Sequence, residues 1–325
     1  MLHLSKLMSC LYDCFYTLLQ YKNEAWAFEA VVSSLGFSIE ANIKARTWVL
    51  CGQSDIDYYQ PHLNRGFEVS WLNVTLLEFE QRLTSLVSAP YPLIIETDPT
   101  LVPYYEPGSL EIGMPHAFLL LSWDKETNKA LVYDRLAVNS TMQKDERNFF
   151  HVDLGLLYPA FEKKIHLAEI KSNPITIEWK EEVDYLLRKS VSNMEKKVSR
   201  AQLAYQVFGF EAIQYFADTL KQFNPNYHDD VQSIWLLSHH LPLAIFQSVY
   251  GNRFLFKKML SKMGGDQYQP IILALNHSLD AWGKLRKEFI LCANGKSSYA
   301  ALNNILQHIS VKEIEMIVAI KQALN

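Results

Sequence analysis

The pattern of apolar residues from about position 10 to 21 predicts a helix. A second helical pattern runs over 24–35. The texture then changes to short apolar runs separated by polar turns. Runs 46–51, 66–71 and 92–97 predict strands, and a helical repeat over 74–87 separates the last two. Segments 117–123 and 130–133 flank the polar loop Asp124-Lys125-Glu126-Thr127-Asn128-Lys129, the pattern of an antiparallel hairpin. Beyond Asn173-Pro174 the strand-like alternation stops. Long periodic segments follow, broken at Asn224-Pro225, Gly264-Gly265 and Asn294-Gly295. The expected architecture is therefore an α+β domain over 1–174 and an all-helical domain over 175–325, with no internal repeat and no low-complexity segment.

The 325 residues are 49% hydrophobic and 20% charged with a mean hydropathy of -0.06, which suits a folded chain of two domains. A net charge of -4 provides no global positive field, so nucleic acid is not expected as a partner. The most apolar stretch, 117–121, is strand-sized and too short to cross a bilayer, so no membrane span is expected. Lys6 and Asp13 interrupt the apolar residues near the start and no small-residue cleavage site follows, so no signal peptide is read. Cys10, Cys14, Cys51 and Cys292 form no disulfide framework for a chain of this length; reduced thiols and a cytoplasmic location are expected. Charge separates the halves, with 14 Lys+Arg against 21 Asp+Glu in 1–174 and 17 against 14 in the remainder. Two basic clusters in the second half, Lys196, Lys197 and Arg200, and Lys257, Lys258 and Lys262, are either a docking surface for an acidic partner or solvated helix faces.

Cys10 follows Ser9, a good N-cap residue, and opens the first helix. Its sulfur then lies near unpaired backbone N–H groups and the positive end of the helix dipole, a setting that favours thiolate. The alternative is a packed structural thiol. Cys14, one turn on, shares its face with Asp13, Thr17 and Leu18 and is expected to pack rather than react, and the two cysteines lack a second pair of ligands for a metal. His116 enters the hairpin after Gly113-Met114-Pro115, and Asp134 leaves its second strand. The antiparallel return brings the two together, so that the carboxylate is able to fix the imidazole tautomer; the alternative for either is a structural or solvated side chain. Pro103, Tyr104, Tyr105 and Pro107 form a rigid aromatic loop before His116 that either lines a cleft or caps the core. With no glycine-rich phosphate loop, dinucleotide fingerprint, zinc spacing or Gly-x-Ser-x-Gly elbow, no cofactor and no metal are expected.

The order of parts, an early helix with Cys10, then His116-Ala117-Phe118-Leu119-Leu120-Leu121, then Asp134 after a hairpin, resembles the papain-like peptidases of the C39 type. The chain is more similar to the butirosin biosynthesis protein H family, which uses that fold to transfer an acyl group from a carrier protein. Positions 92–105, with Asp98, Tyr104 and Tyr105, look like that family's apolar strand, Asp and Leu-Pro-Tyr loop. Tyr250-Gly251-Asn252-Arg253 through Ala281-Trp282 looks like its helical half, so the resemblance spans nearly the whole chain. It implies a papain-like, C39-peptidase-like cysteine-enzyme domain followed by an all-α domain. Cys10 would be the nucleophile, His116 the general base and acid, Asp134 the residue orienting His116, and Asp98, Tyr104 and Tyr105 substrate contacts. Two positions depart from the peptidases: Leu4 stands where they carry the oxyanion-hole Gln, and Arg135 follows Asp134 where they usually carry Pro. The backbone N–H of Cys10 is then left to hold an oxyanion. The implied activity is transfer of an acyl or aminoacyl group from an acidic acyl carrier protein to a small-molecule amine or hydroxyl in antibiotic biosynthesis. A hydrolase, peptidase or cyclase of the same fold, and a silent binding module in which Cys10 only packs, are the alternatives.

Overall fold

The computed structural model describes residues 10–21, 27–42, 47–52, 67–86, 92–97, 102, 116–134, 149–161, 165–172, 178–196, 206–221 and 236–325. The chain is mixed α and β, with antiparallel sheets and a helical C-terminal region. It divides into two compact units. A sheet unit is drawn from Ser9–Val31 and His62–Ile177, and a helical unit from Val32–Pro61 and Glu178–Asn325.

The sheet unit contains helices α1 (Cys10–Tyr21), α2 (Ala27–Ala30), α3 (Leu76–Leu86) and α4 (Leu154–Phe161). Its strands are β3 (Phe67–Val74), β4 (Leu93–Thr97), β5 (His116–Asp124), β6 (Lys129–Tyr133), β7 (Phe149–Asp153) and β8 (Ile165–Ser172), joined antiparallel in the order β3-β8-β4-β5-β6-β7. Alternation along the strands turns Leu93, Ile95, Phe118, Leu120, Val132, Phe150 and Val152 to one face, where Phe79 and Leu83 of α3 and Leu154 and Leu157 of α4 complete a core. The other face is covered as well, since α1 packs on β4 and β5. Burial on both sides explains why β4 and the first half of β5 read as unbroken apolar runs. α3 starts where it does because Thr75 and Glu78 cap each other: Thr75 N–H donates to Glu78 Oε2 at 2.7 Å and Glu78 N–H to Thr75 Oγ1 at 3.3 Å. The β5–β6 turn is closed by Asp124, which accepts from Glu126 N–H at 2.9 Å and Thr127 Oγ1 at 2.7 Å, and by Asn128, whose φ of 53° few other side chains tolerate.

The helical unit holds β1 (Ser38–Asn42), β2 (Thr47–Cys51) and β9 (Gln206–Phe208), paired as β2-β1-β9, with helices α5 (Trp179–Glu195) and α6 (Gly209–Lys221). A further helical run, opened into π-type turns over Leu236–His240 and Ile245–Tyr250, contains α7 (Leu241–Ala244) and α8 (Gly251–Met263). The long helices α9 (Gln269–Ala293) and α10 (Tyr299–Leu324) follow. Gly264 and Gly265, at φ 72° and 105°, stop α8, and Gly295, at φ 67°, closes α9, as expected from their places in the sequence.

Three expectations need correction. The helix expected over 24–35 exists, among the described residues, only as α2. Residues 32–37 are instead buried in irregular backbone, and side chains from later helices take up their polar groups. Leu35 N–H donates to Ser190 Oγ at 2.8 Å, Leu35 O accepts from Asn193 Nδ2 at 3.2 Å, and Gly36 O accepts from Arg253 Nη2 at 3.2 Å. Gly36 N–H reaches Gly52 O at 2.9 Å, and Phe37 O accepts from Gly209 N–H at 2.7 Å. Gly209 is required there: its φ is 62°, and an added Cβ would stand 2.2 Å from Met194 O. Second, the region after 175 is not all-helical, because β9 pairs with β1; three residues are too few to carry a period-two pattern. Third, a single cut near 174 does not describe the division, since the described residues of 32–52 belong with the helices after Glu178.

The helical unit is centred on a buried ion pair. Arg253 Nε and Nη2 donate to Glu313 Oε1 and Oε2 at 2.7 and 2.8 Å, and Ser278 Oγ and Trp282 Nε1 add bonds to Oε1 at 2.6 and 2.8 Å. Burial pushes the Glu313 carboxyl up, but Arg253 and the two neutral donors outweigh it and hold it below its ordinary 4.5. The stability this gives is present above the ordinary value and is lost as pH falls through the native one. Arg253→Met strands a buried carboxylate and should cost about 3–5 kcal/mol in urea unfolding, with much of it regained in Arg253→Met/Glu313→Leu. The double variant should also lose less stability than wild type on acidification.

Candidate functional site

β5 lies inside the six-stranded sheet, between β4 and β6. Its first residue, His116, pairs with Thr97 at the end of β4, and the N–H of its second residue, Ala117, donates to Cys10 Sγ at 3.4 Å. Cys10 is the first residue of α1 and is partly exposed. The packing of α1 on β4 and β5 thus brings the helix start, and with it the sulfur, to the start of β5.

Asp134 directly follows β6. His116 Nε2 lies 3.0 Å from Asp134 Oδ2 and 3.1 Å from Oδ1, and both side chains are buried. Their meeting depends on an irregularity in the β5–β6 ladder. Leu120 pairs with Val132, but Ser122 pairs with Leu131, which leaves Leu121 as an extra residue. Continued past the Leu119–Tyr133 pair, the register sets Asp134 opposite Phe118, on the same face as His116 two residues away, within diagonal reach of an imidazole.

Cys10 is the third member of the cluster: its sulfur accepts from the N–H that follows His116, and its hydrogen bond and charge are among the influences that raise the His116 pKa. With Nε2 engaged by Asp134, Nδ1 is the ring nitrogen left for the thiol. Burial pulls the His116 pKa down; the charge and hydrogen bond of Asp134, then the hydrogen bond and charge of Cys10, outweigh it and push it up to about 10. At neutral pH the ring therefore carries both protons. The arrangement is able to pass a proton at Nδ1 while Asp134 holds the ring at Nε2.

Of the predicted site residues, Cys10, His116 and Asp134 come together. Asp98, Tyr104 and Tyr105 lie outside the described residues, as do Leu4, Ser9 and Arg135. Sequence reasoning missed Tyr133, whose hydroxyl donates to the buried Asp13 of α1 at 2.6 Å; a pair 120 residues apart leaves no local signal. Of the basic clusters, Lys196 lies over the Phe208 ring and Lys257 donates to Asn276 Oδ1 at 2.9 Å, whereas Lys197 and Arg200 are outside the described residues. Among the described residues no three His, Cys, Asp or Glu side chains gather as a metal site, no helix is long and apolar enough to cross a membrane, and no disulfide joins the cysteines.

No protein-family model matches the chain, and no curated protein matches it.

The geometry makes the His116 titration a direct test. Followed by NMR in histidine-labelled protein, His116 should stay protonated through neutral pH and titrate near 10. In Asp134→Asn the largest raising influence is gone and burial acts in the opposite sense, so the midpoint should fall well below the wild-type value. The stability contributed by the pair is full below the ordinary 6.5 and is lost as pH rises through about 10, so the variant should lose less stability than wild type between those limits.

Proposed function

We propose that the protein is a cysteine-dependent acyltransferase, with Cys10 as nucleophile, His116 as proton carrier and Asp134 as the group orienting His116. The observation that supports this reading is the His116 ring bonded to Asp134 through one nitrogen and engaged with the Cys10 thiol, with the sulfur at the start of a helix. A cysteine-bearing helix on an antiparallel sheet that supplies His and Asp from neighbouring strands is also the layout of papain-like enzymes, to which the sequence shows a resemblance.

In the first step the Cys10 thiolate attacks the carbonyl of an acyl or aminoacyl thioester. A bond forms from Sγ to the acyl carbon, the carbon–sulfur bond to the donor breaks, and the departing thiolate takes the Nδ1 proton of His116. In the second, an amine or hydroxyl acceptor attacks the acyl-Cys10 thioester and gives its proton to the now neutral Nδ1 as the bond to Sγ breaks. Cys10 and His116 return to their starting state. In this reading the backbone N–H of Cys10, at the helix start, stabilises the oxyanion, and the Ala117 N–H stabilises negative charge on sulfur. The donor in this reading is an acyl carrier protein, an acidic partner for the more basic sequence after residue 174.

Intact mass after incubation with acyl-loaded carrier proteins and simple thioesters should show an acyl adduct in wild type and none in Cys10→Ala. His116→Ala should slow adduct formation roughly 10²–10⁴-fold. A folded protein that forms neither adduct nor free acid with any donor would overturn the assignment.

A further inference from the structure

Tyr133 and Asp134 are consecutive, so strand alternation turns them to opposite faces of the sheet. Asp134 reaches His116. Tyr133 reaches the other way, to α1, where its hydroxyl meets Asp13 Oδ2 at 2.6 Å. Asp13 stands three residues after Cys10, close to one turn along the same helix. The contact is shut off from water, with Asp13 1% and Tyr133 5% exposed, and its length is that of a charge-assisted bond. Thr17, one turn further on, is among the groups whose side chain acts on the same phenol.

Apolar packing would hold α1 against β4 and β5 but leave it free to slide, because hydrophobic attraction is not directional. Hydrogen bonds weaken steeply with angle and length, and so fix the helix along its own axis. We propose that Tyr133 is a positioning residue: through Asp13 it sets the axial position of the helix that carries Cys10, and thereby the distance from the Cys10 thiol to the His116 ring. The dipeptide Tyr133-Asp134 then aligns both reacting groups, one through each face of the sheet. The inference rests on the reading of Cys10 as a nucleophile activated by His116.

The test uses the full chain as wild type, His116→Ala, Tyr133→Phe, Asp13→Asn and the double variant Asp13→Leu/Tyr133→Phe. Alkylation of Cys10 by iodoacetamide is followed by peptide mass across pH 6 to 10, the His116 titration by NMR, and folding by urea unfolding. Tyr133→Phe should slow alkylation about tenfold or more, since small misplacements of reacting groups have large effects on rate. Asp13→Asn retains an oxygen that accepts the phenol proton and should stay close to wild type. The double variant removes both polar groups together, avoids a stranded carboxylate, and should fold while reacting as slowly as Tyr133→Phe. Its His116 should titrate lower than in wild type, because the Cys10 thiol is one of the groups that raise it. A folded double variant that reacts at the wild-type rate, with His116 titrating as in wild type, overturns the positioning role while leaving Cys10 a nucleophile. A double variant that does not fold also overturns it, since the pair is then a requirement of the fold. His116→Ala alkylated as fast as wild type overturns the nucleophile reading and the positioning role together.

Discussion

The period of two along a β-strand is the constraint on which the site depends, because it makes the parity of one ladder decide what faces what. In the turn-proximal half of the β5–β6 hairpin, Asp124 pairs with Lys129, Trp123 with Ala130 and Ser122 with Leu131. Carried on without interruption, that register would set Asp134 opposite Leu119, on the face away from His116, and would turn Tyr133 away from α1. The extra residue at Leu121 reverses both assignments at once. Asp134 joins His116 and Phe118, while Tyr133 joins Leu119 on the side where α1 packs. A single bulged leucine, five residues from His116 and without a polar atom in its side chain, thus allocates the carboxylate to the imidazole and the phenol to the helix.

Once His116 and Asp134 share a face, electrostatics fixes the protonation state. Burial alone would keep the imidazole neutral; a carboxylate in hydrogen-bond contact makes the buried cation the favoured form. The helical unit solves the same problem with Arg253 and Glu313, whose charges are paired and whose remaining lone pairs and protons are taken by Ser278, Trp282 and the backbone of 32–37. The two buried pairs differ in what is left over. The Glu313 cluster closes on itself, with both carboxylate oxygens and every nitrogen of the Arg253 guanidinium bonded within the protein. His116 has only Nε2 on its carboxylate, and a partly exposed thiol is among the groups that act on the ring. A closed network has little to offer chemistry, whereas an open one is able to exchange a proton.

What was legible in the sequence follows the same physics. α1, α3, β4 and the β5–β6 hairpin announce themselves because each buries a regular stripe or run, and Cys10, His116 and Asp134 stand at the ends of those elements. Residues 32–35 fall in the stretch 24–35 that reads as helix, yet the backbone over 32–37 is held in part by side chains more than 150 residues away, which no local pattern encodes. β9 is too short to show a period, and its pairing with β1 is one of the contacts that tie 32–52 to the later helices. The bulge at Leu121 was hidden for a related reason. An apolar run buried on both faces carries no alternation, so an inserted residue leaves no mark on it.

The electrostatics of His116 also bear on which acyl donor the proposed chemistry suits. An imidazolium that keeps its proton up to about 10 is a reluctant acid, and a departing amine, which leaves only when protonated, would gain little from it. A thiolate with a conjugate acid near 8.5 leaves with far less help, which favours a thioester over a peptide as donor. The balance reverses in the second half-reaction. Acylation of Cys10 removes its share of the raising influence, while Asp134 remains bonded to Nε2 and goes on favouring the protonated ring, which suits His116 to act as a base. Such a base is well matched to an amine or hydroxyl acceptor, whose proton must be removed as it attacks. An imidazolium that gives up its proton reluctantly and stays held by a carboxylate through both steps suits transfer from a good leaving group to a poor nucleophile.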